Sequence, residues 1–290
     1  MKKIILGLSS VILLLLLFVV GWLSAATLDG FIGGIQNRNQ AEVTIENPTI
    51  TFIGDSLTNG YYSYEGLQAD SYGYRQIVTE ETNATAYNFA VGGYTSKDVL
   101  QQFNSDVSLA SVNQTILAKD RDKPELQALY TTDEVITISD AIAESDYVIS
   151  TIGANDVLQE LLIFNEDGSF TINKDGFFSG LEAIHERKYN IYSQIHEINP
   201  DAHIIDIGMY MAYPHISDFF TTLMYPALMY AEHQIFISDS DINTTKVTVR
   251  DNMQSDIKSY IDNPTDIHPN QNGYEIMANE VLKEMERVAN

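Results

Sequence analysis

From Pro48 onward, short apolar or β-branched runs alternate with longer amphipathic stretches, and that alternation admits few architectures. The runs Thr49–Ile53, Ala86–Val91, Tyr147–Ile152 and His203–Ile207 read as strands. The stretches Ser71–Glu81, Ile138–Glu144, Leu181–Ile198 and Asn272–Val288 read as helices. Near-continuous apolar strands joined through helices mean βαβ units. The expected fold is therefore α/β, a three-layer α/β/α sandwich with a central, mainly parallel sheet. No repeat or break in composition divides residues 48–290, so they are expected to form one domain. In the last helix Ile276, Val281, Leu282 and Met285 share one side, and Asn270 or Asn272 stands ready to cap its start. Residues 211–240 fit the pattern poorly: a Met- and Tyr-rich apolar stretch is broken by Pro214 and Pro226. It reads either as core or as the wall or lid (211–230) of an apolar substrate groove.

Ahead of this domain, Lys2 and Lys3 precede an apolar stretch from Ile4 to Val20, which runs out through Ser24, Ala25 and Ala26. That order makes residues 1–26 a secretory signal. At ~1.5 Å per residue the segment Ile4–Ala26 also reaches across a bilayer, so an uncleaved membrane anchor is the other reading. Both place the remainder outside the cytoplasmic membrane, extracellular or at the cell surface, because the lysines stay inside. Residues 27–47, with Gly30, Gly33 and Gly34 and no sustained period, read as a linker.

Sixteen Lys+Arg against 40 Asp+Glu leave a formal charge of −24, which argues against nucleic acid as a partner. There is no cysteine, which excludes disulfides, thiolate metal sites and a cysteine nucleophile. An exported chain without cysteine points to a bacterial envelope.

Four segments carry chemically capable residues at the edge where open α/β sheets place their sites. Gly54-Asp55-Ser56-Leu57 follows the first strand directly, so the serine would sit on a rigid strand-to-helix turn. Asn88 to Ser96 runs from a strand end into the pair Gly92-Gly93, whose backbone N–H groups are open to a ligand or only shape a turn. In Gly153-Ala154-Asn155-Asp156, Asn155 could aim its amide at developing negative charge, or the Asn-Asp pair could merely cap a helix. The last segment, Asn263 to Asn270, holds His268 between the nearby Asp266 and Pro269. A neutral imidazole can take a serine proton while a carboxylate fixes its tautomer. His185, His196, His203, His215 and His233 lack such a setting and read as structural or surface residues.

Taken in order, these segments resemble the four blocks of the GDSL, or SGNH, hydrolase superfamily, over residues 49 to about 285. The likeness is to exported bacterial lipase/acylhydrolase-like members and implies a flavodoxin-like sheet. It makes Ser56 the nucleophile and His268 the base. Gly93 and Asn155, with the Ser56 N–H, become the oxyanion donors. No metal or organic cofactor is implied. The sequence departs from the family at Thr265, which stands where the acid is usual, and at Ala90, which replaces the first glycine of the second block. Asp266 is expected to orient His268, with Asp262 and a backbone carbonyl as competitors.

The reaction so implied is acyl transfer from a small-molecule, lipid or glycan ester through a Ser56 acyl-enzyme. The alternatives are a carbohydrate O-deacetylase working on cell-wall or capsular glycans, and a non-catalytic surface protein that retains the fold. A metal phosphoesterase built on Asp55, Asn155, Asp156 and His268 is weaker, since no metal-binding motif accompanies those residues.

Overall fold

Thr49–Gly54 forms the first strand, and every residue of it after Thr49 is buried. In the computed structural model, which describes residues 45, 47–60, 73–112, 135–164, 170–173, 176–210, 218–254, 256–262 and 267–290, the elements run as follows. They are β1 (Thr49–Gly54), α1 (Ser56–Asn59), α2 (Tyr74–Thr82), β2 (Thr85–Asn88), α3 (Ser96–Ser105), α4 (Leu109–Val112), α5 (Ile138–Ala143), β3 (Tyr147–Thr151) and α6 (Ala154–Leu161). Then come β4 (Leu162–Phe164), β5 (Phe170–Ile172), α7 (Phe177–Ile198), β6 (His203–Ile207), α8 (Asp218–Ile235), β7 (Thr244–Val247), α9 (Arg250–Gln254), α10 (Ile257–Tyr260) and α11 (Gln271–Ala289). The expected signal or anchor lies outside the described residues, as does the linker apart from Ile45 and Asn47.

The main sheet has the order β2-β1-β3-β6-β7, and all its pairings are parallel. Strands β4 and β5 make a separate antiparallel hairpin. Because β1, β3 and β6 are interior, both their faces are covered. Ile50, Phe52, Ile149, Ile205 and Ile207 enter one apolar layer with Tyr74 and Val78 of α2 and Tyr274, Met277 and Val281 of α11. Ile53, Val148, Ile152 and Ile204 enter the opposite layer with Val99 and Phe103 of α3 and Ile191, Tyr192 and Ile195 of α7. Two-sided burial explains why these strands are mostly apolar or β-branched, with Thr51, Ser150 and Asp206 as buried polar exceptions. The result is the three-layer α/β/α sandwich, with the strand order reversing between β1 and β3. The crevice at the carboxyl ends of those two strands is where such sheets hold ligands.

The structure departs from the expected elements where sequence pattern and packing diverge. Strand β2 ends at Asn88, although Phe89 N–H still donates to Phe52 O at 2.8 Å and Val91 N–H to Gly54 O at 3.1 Å. Strand β7, Thr-Thr-Lys-Val, is a half-buried polar edge with no apolar run to mark it. Helix α8 continues through Pro226 instead of breaking there. An interior proline costs a helix ~3 kcal/mol. The packing of Tyr225, Leu228 and Tyr230 against Val157, Leu181 and Ile184 offsets that cost. Residues 218–230 of the 211–230 stretch are therefore helical, packed through Tyr225, Leu228 and Tyr230, while residues 211–217 lie outside the described residues. No described helix is long and apolar enough to cross a membrane.

Candidate active site

Strand β1 ends at Gly54, whose φ of +129° disfavours any side chain. A Cβ there would lie 2.6 Å from Thr151 Oγ1 and 2.9 Å from Thr151 N on the adjacent β3. The close approach lets the chain turn directly into α1. Asp55 caps that turn, its carboxylate accepting the Leu57 N–H at 3.0 Å. Ser56 is thus the first residue of α1, held by backbone on both sides, and its own N–H has no acceptor within the helix.

His268 reaches this turn from the far end of the sequence: its Nε2 lies 2.7 Å from Ser56 Oγ across 212 residues. Tyr210, just beyond β6, donates its hydroxyl to the Ile267 carbonyl at 2.6 Å. On the other side Asn270 caps α11 by accepting the Gly273 N–H at 3.1 Å, and its amide donates to Ser259 O at 2.9 Å and Asp262 Oδ1 at 2.7 Å. The imidazole is therefore carried between two anchored neighbours. Asp266 lies outside the described residues. Asp262, its competitor, is exposed and engages the Asn270 amide.

Gly93 takes φ +85° in the turn after β2, a conformation that suits glycine. Asn155, at the start of α6, donates its amide to Tyr94 O at 2.9 Å, which uses one of its two hydrogens and brings it next to the Gly93 turn. The neighbouring Asp156 lies inside α6 and reaches across to another element. Its buried carboxylate accepts Ser96 N–H at 2.7 Å and Ser96 Oγ–H at 2.6 Å. Arg187 of α7 completes the clasp, donating Nε to Ser96 Oγ at 2.7 Å and Nη2 to Asp156 Oδ1 at 3.2 Å. The segment carrying Gly93 and the segment carrying Asn155 are thus tied together twice.

A buried chain of hydroxyls behind Ser56 was not legible in the sequence. Thr151 Oγ1 donates to Asp55 Oδ1 at 2.9 Å, Thr58 Oγ1 lies 2.8 Å from Thr151 Oγ1, and Tyr74 OH lies 2.6 Å from Thr58 Oγ1. Since Thr151 gives its proton to the carboxylate, it must accept from Thr58, and Thr58 from Tyr74. The whole chain points at Asp55, and such aligned bonds reinforce one another. Burial pushes the Asp55 carboxyl up to about 7, against the lowering effect of its bonds to Leu57 and Thr151, with the charge of Asp156 a smaller upward push. Tyr74 is also pushed up by burial. Thr58 stands among polar residues and Thr151 beside Ser150, so the sequence marks neither of them out.

Of the other histidines, His203 is buried, with Nε2 2.9 Å from Thr245 Oγ1, and His185 sets Nδ1 3.0 Å from Gln234 O. Both are structural contacts. Among the described residues no three His, Asp or Glu side chains gather as a metal site would require.

A parallel sheet that feeds a serine turn at its switch point, opposite a histidine loop, is the build of a three-layer α/β ester-cleaving hydrolase. The chain belongs to the GDSL-like lipase/acylhydrolase family, whose model matches residues 52–276. It is 25% identical over 256 residues to the uncharacterized protein YpmR of Bacillus subtilis (strain 168), covering 84% of each chain. Among solved structures it is similar to the lipase Lip_vut3 from a goat rumen metagenome. The TM-score is 0.54 at 17% identity, over 81% of this chain and 95% of that one. At that identity the likeness concerns the fold.

Proposed function

We propose that this chain is an exported serine esterase of the lipase/acylhydrolase type, cleaving carboxylic esters through an acyl-enzyme on Ser56. The observation that carries this reading is the 2.7 Å contact between Ser56 Oγ and His268 Nε2. A neutral imidazole at that distance accepts the serine proton as Oγ attacks the ester carbonyl. The Ser56 N–H, the Gly93 N–H and the second hydrogen of the Asn155 amide receive the developing oxyanion. Collapse of the tetrahedral intermediate expels the alcohol, which leaves with the proton from His268. Water, deprotonated by the same imidazole, then attacks the acyl-enzyme and releases the acid. Asp266 is the proposed partner of the remaining ring nitrogen, holding the tautomer and stabilising the imidazolium. Export rests on the order of charge, apolar run and small residues in 1–26.

The test is labelling of the purified full-length chain with a fluorophosphonate, read by intact mass beside Ser56→Ala. One adduct on the wild type and none on the folded variant is expected. A folded wild type that takes up no probe refutes the serine nucleophile and moves the non-catalytic reading to the front.

A further inference from the structure

An apolar recess opens at the carboxyl edge of β3 and β6. It is bordered by chain neighbours of three residues of the proposed site: Leu57 beside Ser56, Ile267 beside His268 and Ala154 beside Asn155. Leu158 of α6 and Leu228 of α8 form part of its wall. It encloses about 650 Å³ when the solvent space at its open mouth is included. Of the described lining residues, Thr151 and Tyr210 carry hydroxyls, and both are engaged: Thr151 donates to Asp55 and Tyr210 to Ile267 O. Among the described residues the lining therefore has a surface for hydrocarbon and no uncommitted side-chain donor for a sugar hydroxyl.

The wall from α8 is fixed in place. Glu232, one turn beyond Leu228, is buried and ion-paired with Arg250 at 2.6 Å and Lys246 at 3.1 Å. Gly208 makes room for that carboxylate, since a Cβ there would lie 2.7 Å from Glu232 Oε1. Leu228 consequently stands at a set distance from the sheet edge.

We infer that this recess receives the acyl chain of the ester, and that Leu228 sets the length accepted, favouring chains of several carbons over acetate. The inference rests on the Ser56 reading and names the substrate class for it. A longer acyl chain would cover more of this apolar lining than an acetyl methyl would. Each further methylene buried gains about fourfold in kcat/KM, the equivalent of ~0.8 kcal/mol.

The experiment compares p-nitrophenyl acetate, butyrate and octanoate on the full-length wild type, Leu228→Ala and Leu228→Phe, with thermal melts to verify folding. The wild type is expected to prefer butyrate to acetate by roughly 15-fold, two methylenes at the gain just given. Leu228→Ala should move the optimum to longer chains and Leu228→Phe to shorter ones. Single-turnover deacylation should show the same ordering, because by then the alcohol has left and only the acyl group is read. An optimum at acetate, or an optimum that neither folded variant moves, overturns the inference. So does a rate that is the same for all three acyl chains. Wild type that takes up fluorophosphonate and shows one of these results fails this inference alone. Wild type that neither labels nor cleaves any ester refutes the Ser56 reading, and this one with it.

Discussion

Exchanging Asp156 for asparagine preserves the shape of the side chain and removes its ability to accept at both positions. In the wild type the two carboxylate oxygens take the Ser96 N–H at 2.7 Å and the Ser96 hydroxyl at 2.6 Å. In the variant one of those positions becomes an NH₂ facing a donor. Ser96 is 0% exposed and Asp156 4%, so water cannot replace the lost acceptor. Hydrogen bonds to a charged group are worth ~1.5–3 kcal/mol each, and the variant can keep only one of the two, as a neutral bond. Arg187 adds little, because its side chain is 26% exposed and solvent screens the pair. A loss of about 2–3 kcal/mol in unfolding free energy is expected by urea titration. The catalytic effect follows from what the clasp holds together, the Gly93 turn and the start of α6. Losing one oxyanion donor costs ~10²–10³ in rate, so kcat should fall by about 10²-fold while KM stays within about twofold. Ser96→Ala, which deletes only the hydroxyl bond, should show the same pattern more mildly in a more stable protein. The assay is kcat and KM on p-nitrophenyl butyrate beside the urea curves. A variant that loses the stability but keeps full kcat would show that the clasp does not position the proposed oxyanion donors. One that keeps both would refute the hydrogen-bond geometry itself.

Two further outcomes follow from the turn that presents Ser56. Gly54→Ala places a Cβ 2.6 Å from Thr151 Oγ1 at a φ of +129°, so a loss of about 2–4 kcal/mol with loss of activity is expected in thermal melts and ester assays; an unshifted melting temperature would contradict the close approach. Asp55 has its carboxyl raised from 3.8 to about 7, so the folded chain keeps a proton that the unfolded chain releases. Its contribution therefore makes stability fall as pH rises from about 4 to about 7. Asp55→Asn keeps an oxygen for both the Leu57 and Thr151 bonds and should flatten that slope in urea midpoints, whereas a slope equal to the wild type would show that Asp55 is not its source.

Much of the molecule was legible because the relevant forces act within a few residues or repeat along the chain. The interior strands β1, β3 and β6 are apolar on both faces, so their runs marked them, and His203–Ile207 formed with the expected bounds. The serine, glycine and asparagine segments were legible for a related reason: each follows a strand, and parallel strands deliver their carboxyl ends to one edge. The order of those segments carried the family resemblance, and the family match covers the same stretch.

What only the tertiary structure decided depends on contacts between distant parts of the chain. A polar edge strand such as β7 exists because β6 offers it an unpaired ladder, and its own side chains do not advertise it. Helix α8 persists across Pro226 because the third apolar cluster holds its face. The clasp of Asp156 on Ser96 spans 60 residues, and the Asp55 hydroxyl chain joins residues up to 96 apart. Nothing local ties the capping Asp55 to an approach of Thr151, or ranks Asp156 above any other acid after an asparagine. Hydrogen-bond partners are chosen by the packing that brings them together, and the same packing removes the water that would otherwise have served them.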